Sequence, residues 1–159
     1  MDKANSLPIK ASLLLTSTLT VMSGATIAPS LPAMQQHFAD VPNSALLVRL
    51  VLTIPALFIA IGGLFAGQLV DRLGRKPLLV GSTLLYGLAG ASGLILNSLG
   101  TILVGRALLG LSVAGIMTGV TTLIADYYTG QSRANFMGLQ AAFMTLIEKI
   151  LAQRSDSRL

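Results

Sequence analysis

The charged residues of this 159-residue chain are bunched. They leave uncharged stretches at 11–39, 50–70, 77–105, 107–125 and 134–147. Crossing a bilayer as a helix takes about 20 apolar residues. Three of these stretches exceed that length alone, and 107–125 reaches it with its neighbours. Only 11% of the chain is charged and 53% is hydrophobic, whereas a soluble domain carries about a quarter charged residues. A soluble globule, a disordered tail and a disulfide scaffold are excluded. The chain has no Cys, which also excludes thiol redox chemistry and thiolate metal sites. The runs are long and lack period-two alternation, so they read as helices rather than barrel strands.

The spacing predicts four complete membrane helices, at about 11–34, 45–70, 77–97 and 101–125. A fifth begins near Ala134 and stays apolar only to residue 147. Residues 1–10 form an N-terminal segment, and 148–159 form an atypical charged tail. Lys3 and Lys10 before an apolar run resemble a secretory signal, with Ser23-Gly24-Ala25 as a cleavage site. The run continues to Met34, longer than a signal's apolar region, and more helices follow, which favours a retained first helix.

Lys and Arg set the expected orientation. Two lie in the N-terminal segment (Lys3, Lys10), three in the 71–76 loop (Arg72, Arg75, Lys76) and one in the 126–133 loop (Arg133). The loops at 35–44 and 98–100 have none. Assigning Arg49 and Arg106 to that opposite side leaves six against two, which predicts a cytoplasmic N-terminus. The net charge of +5 comes without a basic stripe or interleaved aromatics, so nucleic acid is not an expected partner. The tail breaks the charge pattern, because Lys149, Arg154 and Arg158 follow a run too short to span. That fits a truncated or frameshifted reading frame, or a short interfacial helix that turns back.

The segment from Gly67 to Pro77 carries the most information. Asp71 ends the second predicted helix, where the helix dipole disfavours an anion. Arg75 lies four residues on and would pair with it if the turn stays helical. Gly74 supplies a helix stop, and Pro77 fits the first turn of the next helix. Asp126 is a second acid at an unfavourable helix end on the same membrane side. A cluster of Asp71, Arg75 and Asp126 would account for both acids. Solvated loop charges worth little each are the alternative.

Gly67, Leu69, Asp71, Arg72, Gly74, Arg75 and Lys76 match G-x-L-x-D-R-x-G-R-K. This resembles the signature that the major facilitator superfamily carries between its second and third helices. The resemblance implies an all-α membrane protein, here a partial major-facilitator bundle of four complete transmembrane helices plus an incomplete fifth. It also implies that the turn acts as a cytoplasmic gating latch, with its Asp touching the other half of the transporter and its charges networked to an acid ending the fourth helix. Asp126 stands at that position.

Arg106 lies about 7 Å inside the fourth predicted helix, counting 1.5 Å per residue. An intramembrane charge points to function, and snorkelling to the outer interface is the alternative. Arg106, Gly110 and the later Gly115 resemble the family's fourth-helix R-x-x-x-G motif, whose Arg is implicated in coupling in proton-driven members. Drug:proton antiporters of the family often carry an acid in the first helix. None occurs here between Lys10 and Asp40, which leaves Asp40 or a carboxylate elsewhere.

Ser12, Thr16, Thr20, Ser23 and Ser30 share one face of the first predicted helix. They either line an aqueous cavity or bond back to their own helix carbonyls. The family resemblance implies a cavity lining. Ile27 to Pro32 is expected to bend the outer end of this helix, in a manner similar to the efflux branch. Gly63 and Gly67, Gly115 and Gly119, and the trio Gly87, Gly90 and Gly93 fit close helix packing, or simply membrane composition.

No phosphate-binding glycine loop appears, His37 is a lone loop histidine, and no nucleophile–base or metal set is present. No cofactor, metal or enzymatic activity is expected. The resemblance implies a secondary transporter of small molecules in the cell (inner) membrane, with drug or metabolite efflux and protons as the coupling ion. It implies that this chain alone is an inactive fragment. A non-transporting membrane protein or pseudogene product, and a sugar or organic acid uptake permease, are the alternatives.

Overall fold

The apolar run of residues 50–70 continues as helix to Leu73 and stops at Gly74, a residue that readily leaves helical geometry. A computed structural model describes residues 7–25, 31–37, 39, 40, 42–95 and 98–156. It contains six helices in this region: α1 (Leu7–Ala25), α2 (Leu31–His37), α3 (Ser44–Leu73), α4 (Arg75–Ile95), α5 (Leu99–Tyr127) and α6 (Gly130–Asp156). Asn43, at φ 60°, enters α3 through the left-handed region that Asn tolerates, and its carbonyl accepts from Leu47 N at 3.0 Å. The Ser98 carbonyl opens α5 by accepting from Ile102 N at 3.0 Å. Gly130, at φ 53°, starts α6 after the two-residue break at Tyr128 and Thr129.

α5 is the central element and packs against α1, α3, α4 and α6. Its buried residues include Leu109, Val113, Ile116, Val120 and Ile124. Leu13 of α1 and Phe136 of α6 join the C-terminal half of α5 in one apolar cluster. Ala89 of α4 joins Leu109 and Val113 in another, with Ile59 of α3 against it. Tyr86 packs against both. Tyr128 stacks on Phe136 with ring centroids 4.8 Å apart, which closes the corner between α5 and α6.

Small residues let α3 and α4 approach α5. A Cβ on Gly110 would lie 2.5 Å from the Pro55 carbonyl oxygen and 2.9 Å from Phe58 Cβ. A Cβ on Gly115 would collide with Ser82, and one on Gly119 would meet Leu79 Cβ at 3.2 Å. The expected packing role therefore holds for Gly115 and Gly119 and fails for Gly63 and Gly67, which face open space. Gly62 takes that role on α3, 2.9 Å from Ala114 Cβ. Gly87 and Gly90 also face open space. The surroundings of Gly93 lie outside the described residues.

Among the described residues, α3 and α5 are the helices long and apolar enough to cross a membrane. The 30 residues of α3 extend about 45 Å at 1.5 Å per residue, against about 30 Å of hydrocarbon. Some helix bounds differ from expectation. Within the stretch read as one helix over 11–34, the described residues hold α1 up to Ala25 and α2 from Leu31, which opens on Leu31-Pro32, where a proline in the first turn loses no helix bond. The expected bend at Ile27–Pro29 and the hydroxyl of Ser30 lie outside the described residues. α1 already begins at Leu7, so Lys10 sits in a helix, and His37 ends α2 rather than lying in a loop. The fifth helix neither stops at 147 nor turns back. α6 runs unbroken through Glu148 and Lys149 to Asp156, because Glu, Lys, Leu, Ala, Gln and Arg are all good helix formers.

Candidate functional site

The segment Gly67–Lys76 is divided between the last turns of α3 and the first residues of α4. Gly74 alone separates the two helices, at φ 87° and ψ 164°, a region open essentially to Gly. Its N–H donates to the Val70 carbonyl at 2.9 Å, and its carbonyl accepts from Leu78 N at 3.3 Å. Pro77 falls in the first turn of α4, where its missing N–H leaves no helix bond unmade.

Arg75 makes an ion pair with Asp126, which joins the start of α4 to the end of α5. Asp71 stays apart. It is exposed, and among the described residues no ion pair links it to Arg75. The predicted pairing needed a helix continuous from 71 to 75, and the Gly74 backbone breaks it. Two of the three charges proposed as a cluster therefore meet. Gly67, Leu69, Arg72 and Lys76 are exposed on the same segment.

Arg106 is half-buried on α5, within electrostatic range of Tyr86 of α4. Among the described residues no carboxylate pairs with it. Gly110, one turn on, is where the backbone of α5 meets Pro55 of α3. Pro55 has no N–H, so the Val51 carbonyl lacks its usual donor four residues on. Gly115 faces α4 instead. The half-buried Arg106 thus lies one turn before the close crossing with α3 at Gly110, and the crossing with α4 at Gly115 lies about 13 Å from it along the helix.

The hydroxyl stripe of α1 bonds within its own helix. Ser12 donates to the Pro8 carbonyl at 2.8 Å, Thr16 to Ser12 at 2.7 Å, Thr20 to Ser17 at 2.6 Å and Ser23 to Thr20 at 2.8 Å. The self-bonded alternative holds for these four, and Thr20 still lines a cavity. That cavity, of about 100 Å³, lies between α1, α5 and α6 and is bounded by Ser17, Thr20, Met117, Thr121, Gln140 and Met144, among others. Gln140 Nε2 donates to Ser17 Oγ at 2.8 Å, and Ser17 Oγ donates to the Leu13 carbonyl at 2.7 Å. Sequence reading missed Ser17 and Gln140. Ser17 lies one residue off the stripe, and Gln140 is an uncharged amide inside an apolar run. The amide in that run was the available signal, because a polar side chain there needs a partner.

The Major Facilitator Superfamily profile matches residues 13–148. This chain belongs to the major facilitator superfamily. It is 34% identical over 113 residues to the inner membrane transport protein YnfM of Escherichia coli, covering 71% of this chain and 26% of that protein. It is 31% identical over 123 residues to the bacillibactin exporter of Bacillus subtilis, covering 74% and 30%. A chloramphenicol resistance protein of Pseudomonas aeruginosa is 27% identical over 144 residues, covering 89% and 34%. The chain thus matches between a quarter and about a third of the length of these relatives. No solved structure is significantly similar to it. Members of the superfamily sit in membranes and carry small molecules, so this is a membrane protein of a transport family rather than an enzyme.

Proposed function

We propose that this major-facilitator chain contributes part of the first half of a secondary transporter that exports small amphipathic molecules from the cell, driven by protons. The superfamily match and the relatives named as an exporter and a resistance protein support the reading. The observation that carries it is the Arg75–Asp126 pair beside the Gly74 turn, a charged tie at one end of the bundle. Transporters of this kind rock two halves about a midplane site, and a tie between helix ends keeps one half rigid while it moves. In this reading Asp71 is exposed because its contact lies in the other half, and the turn faces the cytoplasm, as the Lys and Arg distribution supports. The cavity edged by Thr20, with Thr16 and Ser23 on the same helix, is one wall of the substrate path. Arg106 is the cation that answers protonation of a carboxylate elsewhere.

The experiment is solute flux in vesicles, with and without a pH gradient, using the full-length transporter. Asp71→Asn is expected to abolish flux while leaving membrane insertion intact. Arg106→Gln is expected to remove the dependence on the pH gradient. Wild-type flux from Asp71→Asn refutes the latch. Uptake along the same gradient in place of extrusion refutes export. The 159-residue chain alone is expected to move no solute, since transport of this kind needs two halves that rock about a shared midplane site.

A further inference from the structure

A second concavity lies on the opposite side of α5 from the Gln140 cavity, between α3, α4 and α5. It measures about 240 Å³ and is lined by Phe65 and Leu69 of α3, Leu78, Ser82 and Leu85 of α4, and Leu111 of α5. Gly62 and Gly115, both in close contact with a neighbouring helix, also line it. Phe65 and Leu69 are 60% and 43% exposed, so the groove opens sideways, toward the surroundings of the bundle. Its α3 wall runs about 10 Å along the helix, from residue 62 to residue 69.

The groove ends at the charged turn. Arg72 follows Phe65 by seven residues and Leu69 by three, which places it on their face of α3. Asp71 falls on a different face. Arg75 precedes Leu78 by three and closes the other wall, with its charge engaged by Asp126. Arg72 and Lys76 are exposed, and among the described residues neither makes an ion pair. An apolar trough about 10 Å long thus leads to two exposed cations at the junction of α3 and α4.

We propose that this groove holds one acyl chain of an anionic membrane phospholipid, with the phosphate of its headgroup on Arg72 and Lys76. The fit is by charge and by shape. Membrane hydrocarbon fills the trough, and the cations select an anionic head over a zwitterionic one. The inference needs the helices to lie in a bilayer but does not depend on transport.

The test uses the 159-residue chain in phosphatidylcholine nanodiscs. These are doped at equal mole fraction with phosphatidylglycerol or phosphatidylcholine carrying a diazirine on the acyl chain, and labelled peptides are mapped after irradiation. Phosphatidylglycerol is expected to label residues 62–85 at least about five-fold more than phosphatidylcholine, since each basic residue near an anionic headgroup supplies about that bias. Arg72→Gln should cut the bias about five-fold, and Arg72→Gln with Lys76→Gln should bring the two lipids to parity. Leu85→Trp, which fills the trough, should lower labelling by both lipids while circular dichroism stays helical. Equal labelling of wild type by the two lipids overturns the proposal. So does labelling indifferent to Arg72→Gln, or protection of 62–85 by a second copy, seen as a cross-linked dimer.

Discussion

Arg75 and Asp126 pair although each sits at the helix end that opposes its charge. Arg75 is the first residue of α4, at the positive end of that helix, and Asp126 lies in the last turn of α5, at the negative end. Each is disfavoured alone by about 0.3–1 kcal/mol, and each offsets the other's field. The side chains are 44% and 34% exposed, so the pair itself is worth at most about 1 kcal/mol. Exchanging the charges, with Arg75→Asp and Asp126→Arg together, keeps the pair and places both charges at favourable ends. The double exchange is expected to be more stable than wild type, by about 1 kcal/mol or more, in equilibrium unfolding in detergent. Either single change is expected to destabilise. A double exchange less stable than both single variants contradicts this account.

Gly110 and Gly63 separate packing from composition. Ala at Gly110 would drive a methyl group against the Pro55 backbone and Phe58. Overpacking of this kind costs about 1–3 kcal/mol. Ala at Gly63 meets nothing within 4 Å and gains about 0.5–1 kcal/mol from helix propensity. The two substitutions, identical in chemistry, are expected to move thermal stability in opposite directions.

The sequence makes the interiors of α3, α4 and α5 legible, because burial in lipid demands long apolar runs and charges mark where those runs leave it. The turn is legible at Gly74 and Pro77, where backbone chemistry permits few residues. The boundaries of α1, α2 and α6 are less so. A charge ends a membrane run but not a helix, and so α6 continues through Glu148 and Lys149. Composition also cannot say which glycine faces a neighbour, so Gly62 and not Gly63 or Gly67 meets α5. The Asp71–Arg75 pairing failed because four-residue spacing carries meaning only inside one unbroken helix. The Ser17–Gln140 contact joins residues 123 apart, and no local pattern reports it.

That contact gives a third prediction. Ser17 is buried and bonded to another helix, whereas among the described residues Thr16 bonds to the Ser12 carbonyl of its own helix. Hydrogen bonds between membrane helices average about 0.6 kcal/mol and reach about 1.7. Ser17→Ala is expected to destabilise within that range, and Thr16→Ala to change little. Gln140→Leu should cost as much as Ser17→Ala, and the double variant no more than either, as read from a double-mutant cycle in detergent. Additive losses would mean that the two side chains stabilise the bundle separately.

Gly74 is the single residue between α3 and α4, and its conformation decides whether Arg75 reaches Asp126. At φ 87° and ψ 164° a Cβ is strained whatever space surrounds it, and space is ample, since the nearest outside atom would be Pro77 Cδ at 3.8 Å. The cost of Gly74→Ala therefore arises from the backbone and not from packing, at about 1–3 kcal/mol. The strain is relieved if residue 74 turns helical and α3 runs on into α4, which would move Arg75 away from α5. Gly74→Ala is thus expected both to lower stability and to abolish the energetic coupling between Arg75 and Asp126 in a double-mutant cycle. Gly67→Ala, on the same segment in open space, is expected to do neither. Coupling retained in Gly74→Ala would mean that the ion pair, not the glycine, sets the geometry of the turn.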